Sequence, residues 1–246
     1  MNLGLQDKRA LVTGGTHGIG KSIALKLQEE GCRVLVFSRS VENVTNMKKL
    51  GIEAMIADAT KARDVNKITR YEVDILINNV GGGSNWGTDI EKTSEDTWKK
   101  VWEKNCLTSI RFTKRVMPYM KKNKWGRIVT ISSIYGREAG GKSWFSISKV
   151  GQISFMKSLA IDKELTRSNI TFNSVAPGPL YIKGTSWAKM RHCNSKAYED
   201  YIEKLPLGRL GTPDEVANVV VFLCSEKASL VNGACIAIDG GQGSAF

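Results

Sequence analysis

Histidine is scarce in this chain, and its cysteines do not pair up. The 246 residues hold two histidines, His17 and His192, and five cysteines, Cys32, Cys106, Cys193, Cys224 and Cys235, widely spaced and without a CxxC. No recurring zinc-ligand spacing can be built from that set, so no metal is expected, and the odd, scattered thiols fit a reducing compartment better than a disulfide framework. Long apolar runs are missing too: nowhere do about eighteen apolar residues follow one another, which disfavours membrane spanning. The start, MNLGLQDKRALVTGG, passes almost directly into a strand pattern. Secretion is therefore disfavoured, no membrane partner is expected, and the expected setting is cytoplasmic.

Acidic residues are in deficit. Against 36 Lys and Arg there are 24 Asp and Glu, a formal charge of +12, which favours anionic partners such as a phosphorylated cofactor or a phosphate- or carboxylate-bearing substrate. Nine of the basic residues lie between Lys104 and Arg137 with no acidic residue among them. That run reads as a solvated or interface-flanking helix face, as a field steering an anionic substrate, or as a nucleic-acid surface. It lacks the interleaved stacking aromatics of a base-binding surface, so no nucleic-acid partner is expected.

What is present is a repeating strand and helix rhythm. RALVTGG is a short apolar strand ending in glycines, and IGKSIALKLQEEG has helical spacing at Ile19, Ile23 and Leu27 with Gly31 as a stop. CRVLVFS follows as a second strand, completing a β-α-β unit and implying a parallel sheet. GIEAMIAD, VDILINNVG, WGRIVTISS, NITFNSVAPG and GACIAIDGG supply the other strands. Helices are predicted over about 62–71, over 98–120 with Pro118 disturbing the last turn, and over 145–166. TPDEVANVVVFLCSE reads as a helix capped by Thr212, with Pro213 in its first turn and Glu215 closing a capping box. The stretch 180–206 breaks the rhythm and reads as a substrate lid. With no Gly/Ser-rich linker and no internal repeat, the expectation is one doubly wound, Rossmann-type α/β domain over 1–246, with about seven parallel strands and helices on both faces.

TGGTHGIG, between the first strand and the first helix, carries Gly14, Gly18 and Gly20. A tight turn, a backbone open to a pyrophosphate and a helix packed close on the sheet all require glycine there. Gly14, Thr16, His17, Gly18, Ile19 and Gly20 are thus candidate cofactor contacts. At the end of the second strand Ser38 and Arg39 stand where an acidic residue would select NAD(H). A guanidinium there can fork onto a 2′-phosphate, so NADP(H) is expected over NAD(H), with His17 as a second donor. Asp58, at a strand end, reads either as an acceptor for the adenine amine or as a helix cap.

Taken together, these motifs resemble those of the short-chain dehydrogenase/reductase family, essentially over the whole chain. TGGTHGIG resembles the cofactor loop, NNVG with Asn79 and Gly81 the turn after the fourth strand, and Asn105 the helical active-site asparagine. ISS resembles the serine strand, and PGP, with Pro177 and Gly178, the turn beneath the nicotinamide. Among family members the chain looks most like 3-oxoacyl carrier-protein reductases and the sugar, polyol and steroid dehydrogenases near them. The resemblance implies an enzyme that interconverts a ketone and a secondary alcohol by hydride transfer with a nicotinamide.

One residue departs from the pattern. The family's tyrosine, three residues, lysine motif falls on Phe145 and Lys149, and matching the serine gives Ser133, with Ser132 as the alternative by strict counting. The resemblance gives the tyrosine position the proton, lysine the nicotinamide ribose, serine the substrate oxygen and asparagine a water in the relay. Phe145 keeps the ring and loses the oxygen, a loss on the order of 10²- to 10⁴-fold in acid–base catalysis. Either the protein has lost its acid and now binds cofactor in a regulatory or scaffold role, or tyrosine was replaced by phenylalanine in an active parent. Retention of Lys149, Asn105, Ser133 and the glycine turn favours the second. Ile182 stands where the family usually places a threonine for the nicotinamide carboxamide. Trp86, Tyr135, Arg137, Trp144, Tyr181 and Trp187, from loops at the strand ends, are candidate substrate contacts. They suit a small, anionic or sugar-like carbonyl or alcohol, with a 3-oxoacyl carrier-protein as the alternative substrate. The resemblance also implies a homo-oligomer, a tetramer ahead of a dimer.

Overall fold

A computed structural model describes residues 1–83 and 90–245. Seven strands form one sheet in the order β3-β2-β1-β4-β5-β6-β7: β1 (Arg9–Val12), β2 (Arg33–Ser38), β3 (Glu53–Ile56), β4 (Ile75–Asn78), β5 (Gly126–Ile131), β6 (Ile170–Pro177) and β7 (Cys235–Ile238). Every pairing is parallel, as in Val12 opposite Val36 on one side and Ile77 on the other. Parallel strands need crossovers, and the helices supply them on both faces. Alternation along β1 shows the consequence: Ala10 and Val12 enter the core on one face, where Ile23, Leu27, Val216 and Val220 pack. Leu11 enters the other, with Phe112, Val116, Met156 and Phe172.

The helices are α1 (Gly18–Glu29), α2 (Val41–Lys49), α3 (Ala62–Ile68), α4 (Glu95–Trp102), α5 (Thr108–Asn123), α6 (Ser143–Ala160), α7 (Lys163–Arg167), α8 (Ser186–Cys193), α9 (Ser195–Glu203) and α10 (Pro213–Cys224). The capping box on α10 forms, with Glu215 N donating to Thr212 Oγ1 at 3.3 Å and Thr212 N to Glu215 Oε2 at 2.8 Å. Three helices depart from the sequence reading. α2 has no apolar period in the sequence, because only Val44 and Met47 are buried. The helix expected over 98–120 is α4 and α5 joined by a π-helical turn, Glu103–Leu107, and α5 runs past Pro118 to a left-handed cap at Lys124. The helix expected over 145–166 ends at Ala160, because the Asp162 carboxylate accepts from the backbone N–H groups of Glu164 and Leu165 and so starts α7.

The basic run does not form one face. Arg127 is fully buried in β5, donating to the carbonyls of Gly126 and Asn169 at 2.9 Å, whereas Arg111 pairs with Glu103 and Lys121 with Glu164. Among the described residues no helix is long and apolar enough to cross a membrane.

Candidate active site

The strand order reverses between β1 and β4, and crevices at the carboxyl ends of strands flanking such a point are where open α/β sheets take ligands. Here the sequence builds the crevice from a hydroxyl and an amide. Thr13 Oγ1 accepts from the backbone N–H groups of Asn79 and Val80 at 2.8 and 3.0 Å, and Asn79 Nδ2 donates to the carbonyls of Thr13 and Gly14 at 3.0 and 3.1 Å. Asn79 is thereby the clamp that holds the glycine turn against β4. Gly14 takes φ +63°, a conformation other residues enter at a cost. His17 then caps the start of α1 without a side-chain bond, so the first helical N–H groups stay available to an anion.

Two adjoining cavities follow. The first, about 490 Å³, is lined by Gly14, Thr16, His17, Ser38, Arg39 and Asp58, and by Asn79 and Gly81. These are eight of the residues singled out from the sequence. The lining also includes Lys100, Glu103 and Lys104, which sequence reasoning missed. Arg39 is exposed and makes no hydrogen bond or ion pair among the described residues. Lys104 is half-buried, and burial first and then Arg39 push its ammonium below the ordinary lysine value. Arg39, Lys100 and Lys104 thus bring three cations to this cavity against the carboxylates of Asp58 and Glu103. Of those carboxylates on the same wall, Asp58 Oδ1 accepts from Thr60 N and Oγ1 at 2.9 and 2.8 Å, and Glu103 pairs with Arg111. Burial would raise the Asp58 carboxyl, but the Thr60 bonds, with Arg39 and Lys61, hold it below the usual range. Those bonds close a local turn ahead of α3, whose N-cap is Lys61 without a side-chain bond, so the helix-cap reading of Asp58 does not hold.

The second cavity, about 440 Å³, shares His17, Asn79 and Gly81 with the first and adds Gly18, Ile19, Ser132, Ser133, Phe145, Lys149, Pro177, Gly178, Ile182, Thr185 and Trp187. Lys149 is buried, donating to Ile131 O at 2.9 Å and Gln152 Oε1 at 3.0 Å. Burial pushes its ammonium down to about 7, Lys104 adds to the push and Cys106 opposes it. The Phe145 ring centroid stands 5.5 Å from Lys149 Nζ, so the four-residue spacing does bring both to one helix face. The two serines differ in what they have left to give. Ser132 Oγ donates its proton to Lys149 O at 3.0 Å, whereas Ser133 Oγ only accepts, from Tyr135 N at 3.3 Å. Ser133 therefore keeps a donor for a substrate oxygen.

Other sequence candidates stand elsewhere. Gly20 and Asn105 lie behind the walls. Asn105 sits in the π-helical turn, its Oδ1 accepting from Gly82 N at 2.8 Å, and a Cβ on Gly81 would meet that oxygen at 2.7 Å. Gly81 is what lets the chain approach both Asn105 and Lys149. The structure does not bring Tyr135, Arg137, Trp144 or Tyr181 to the cavity wall. Tyr135 packs on Gly140 and Gly141, Arg137 reaches the carbonyl of Ala245, Trp144 is buried beneath Gly83, and Tyr181 lies under Arg191. Loop length between strand end and aromatic was the only cue, and it does not fix a side chain's direction. Trp86 lies outside the described residues. Gln152 left a signal that could have been read: it is a polar residue three positions after Lys149 on a buried helix face.

A nicotinamide dinucleotide fits this pair of cavities. Thr16 Oγ1 is buried without a hydrogen-bond partner among the described residues, an unmet capacity that a ligand polar group on this wall would satisfy.

Comparison with known proteins agrees. A family model described as enoyl-(acyl carrier protein) reductase matches residues 14–242. The 3-oxoacyl-[acyl-carrier-protein] reductase FabG of Buchnera aphidicola is 36% identical over 97% of this chain and 98% of its own length. Human dehydrogenase/reductase SDR family member 4 is 34% identical over 98% of this chain and 89% of its own. Among solved structures, YwfH, an NADPH-dependent reductase involved in bacilysin biosynthesis, superposes with a TM-score of 0.89 at 27% identity, covering 98% of this chain and 100% of that one. An actinorhodin polyketide ketoreductase with NADPH gives 0.86 at 32%, covering 97% and 98%. Sheet order, glycine turn and near full-length similarity together place this chain in the short-chain dehydrogenase/reductase family of oxidoreductases.

Proposed function

We propose that the chain binds NADP(H) across the two cavities and descends from reductases of 3-oxoacyl thioesters, with ketone reduction held back by Phe145. The observation that carries the cofactor choice is the exposed Arg39 guanidinium after β2 with Lys104 on the same cavity wall, where Glu103 is already paired with Arg111 and Asp58 accepts from Thr60. Two cations suit a 2′-phosphate, and two similar structures are described with NADPH. Gly14, Thr16, Gly18, Ile19 and Asn79 would hold the dinucleotide, and Lys149 its nicotinamide ribose. A bound nicotinamide supplies or accepts hydride at the substrate carbon. Ser133 donates to the substrate oxygen, and Pro177, Gly178, Ile182 and Trp187 wall the site. The segment 180–206 serves as its lid. Phe145 fills the place of an acid without a proton to move.

For the substrate we infer a 3-oxoacyl group on an acidic carrier rather than a sugar-like molecule. Supporting this, the wall is largely apolar, four relatives are named as 3-oxoacyl-[acyl-carrier-protein] reductases, and exposed Lys183, Lys189 and Arg191 belong to the same segment that lends Ile182, Thr185 and Trp187 to the wall. A homotetramer is proposed ahead of a dimer. α5 and α6 border a groove of about 660 Å³ lined by Ile110, Met117, Phe155 and Leu159, and Ile147 and Val150 of α6 are exposed. Sedimentation at the single-chain mass of 27.1 kDa would contradict both assemblies.

A second reading, cofactor binding without turnover, is favoured by Phe145 alone. Calorimetry and a substrate panel separate the two. Tighter binding of NADPH than NADH is expected, and the reverse would sink the cofactor assignment. Reduction of 3-oxoacyl thioesters after Phe145→Tyr supports the reductase reading; tight NADPH binding with no reduction of any ketone supports the second.

A further inference from the structure

Behind the cavity wall runs a chain of buried polar groups. Lys149 Nζ donates to Gln152 Oε1 at 3.0 Å, and Gln152 Nε2 donates to Asn105 O at 2.8 Å and Ser109 Oγ at 3.1 Å. Ser109 Oγ spends its own proton on Asn105 O at 3.0 Å. The direction of every bond is thereby set. Gln152 is fully buried, and turning its amide over would set N–H groups against an ammonium and an oxygen against a carbonyl. Such a buried, satisfied network fixes one geometry. The Asn105 carbonyl, in the π-helical turn Glu103–Leu107, also receives Thr108 Oγ1 at 3.5 Å.

We propose that Gln152 is a positioning residue, whose amide ties the Lys149 side chain to the turn carrying Asn105 and leaves one of its three ammonium N–H groups for the cavity. Two of the three are engaged, by Ile131 O and Gln152 Oε1. The titratable groups facing the amine are Lys104 and Cys106 from the π-helical turn and His17 across the cavity, with Arg39 acting on Lys104. Among the described residues the Gln152 oxygen is thus the side-chain acceptor bonded to the amine, and Glu at this position would turn its oxygens against the Asn105 carbonyl. The proposal rests on reading the cleft as a cofactor site, and it specifies what prepares the lysine for that ligand.

The test is a nitrogen-detected titration of the Lys149 amine in cofactor-free protein, its signal assigned by loss in Lys149→Met. Gln152→Leu, near in volume and without an acceptor, should lower the midpoint by about one pH unit, the worth of one hydrogen bond to a charged group. Gln152→Glu should raise it. At neutral pH NADPH should bind the leucine variant several-fold more weakly. Unchanged midpoints in folded variants would overturn the proposal. If neither variant folds, the unsubstituted chain decides: the Gln152 side-chain amide signals must shift with the Lys149 midpoint, and a flat response overturns it as well. Failure of the unsubstituted chain to bind NADPH, with the midpoints still moving, would remove the cofactor reading and leave the positioning role.

Discussion

Restoring the oxygen at position 145 is the sharpest test of this site. In Phe145→Tyr the ring need not move, and its centroid already stands 5.5 Å from Lys149 Nζ. With the new oxygen about 5 Å from the ammonium and an effective dielectric of about 20, the attraction between phenolate and ammonium is about 3 kcal/mol. That is about two and a half pKa units, moving the phenol from about 10 to about 7.5. Because Lys149 itself titrates near 7, the two groups lose protons as a pair, and the steps belong to the pair. A phenol so placed can donate at neutral pH. Reduction should therefore rise by about 10² to 10⁴, equivalent to about 3–5 kcal/mol of barrier. It should fall again above about pH 7.5 as the phenol ionises. The assay follows reduced-nicotinamide absorbance on 3-oxoacyl thioesters, keto sugars and aromatic ketones, alongside a phenolate absorbance titration. Equal rates for the present chain and the tyrosine variant on one substrate would refute the reasoning, since the proton would then come from another group. A phenol that titrates near 10 would refute the electrostatic part alone.

At the first cavity, Arg39→Glu should reverse the preference from NADPH to NADH, and Lys104→Ala should weaken NADPH about tenfold or more while leaving NADH nearly unchanged; calorimetric dissociation constants check both. The buried Lys149 amine, near 7 in the fold and about 10.4 when unfolded, gives a signed pH dependence. Between those values the unfolded chain holds the extra proton, so the cofactor-free protein should gain stability as pH rises, by up to about 1.4 kcal/mol per unit. Denaturant melts across that window should show the rise, and Lys149→Met should flatten it. Thr212→Ala, which removes the cap of α10, should cost about 1 kcal/mol in the same melts.

Local patterns that carry their own physics were legible in the sequence. The glycine turn, the Thr212 capping box and the seven strands each announce themselves within a few residues. Phe145 and Lys149 could be placed on one helix face from spacing alone. What stayed hidden depends on contacts distant in sequence. Asn79 lines both cavities, and the sequence does not show that its amide also bonds the carbonyls of Thr13 and Gly14. Arg127 looks like part of a basic surface, and lies in the core because backbone carbonyls from Gly126 and Asn169 receive it. Lys104 sat inside the same basic run, and only the fold turns it toward Arg39. Asp162 could have been read as a helix start, but the apolar pattern of α6 runs on past it and masked the break.

The π-helical turn at Glu103–Leu107 changes which kinds of mutation this site can absorb. A helix advances about 100° per residue, so a turn that holds one residue more than the regular ladder behaves as a stored insertion. Substitutions within it alter side chains and leave the register alone. Deleting any single residue from it would let α4 and α5 fuse into one regular helix, the more stable hydrogen-bond pattern, and would rotate everything on one side by about 100°. Asn105 would be turned away from Gln152, and Gly82 would lose its acceptor. The expected result is a protein that still folds, with an intact sheet, and has no organised cleft. Lineages carrying this turn should accordingly conserve its length as strictly as Lys104 and Asn105 within it.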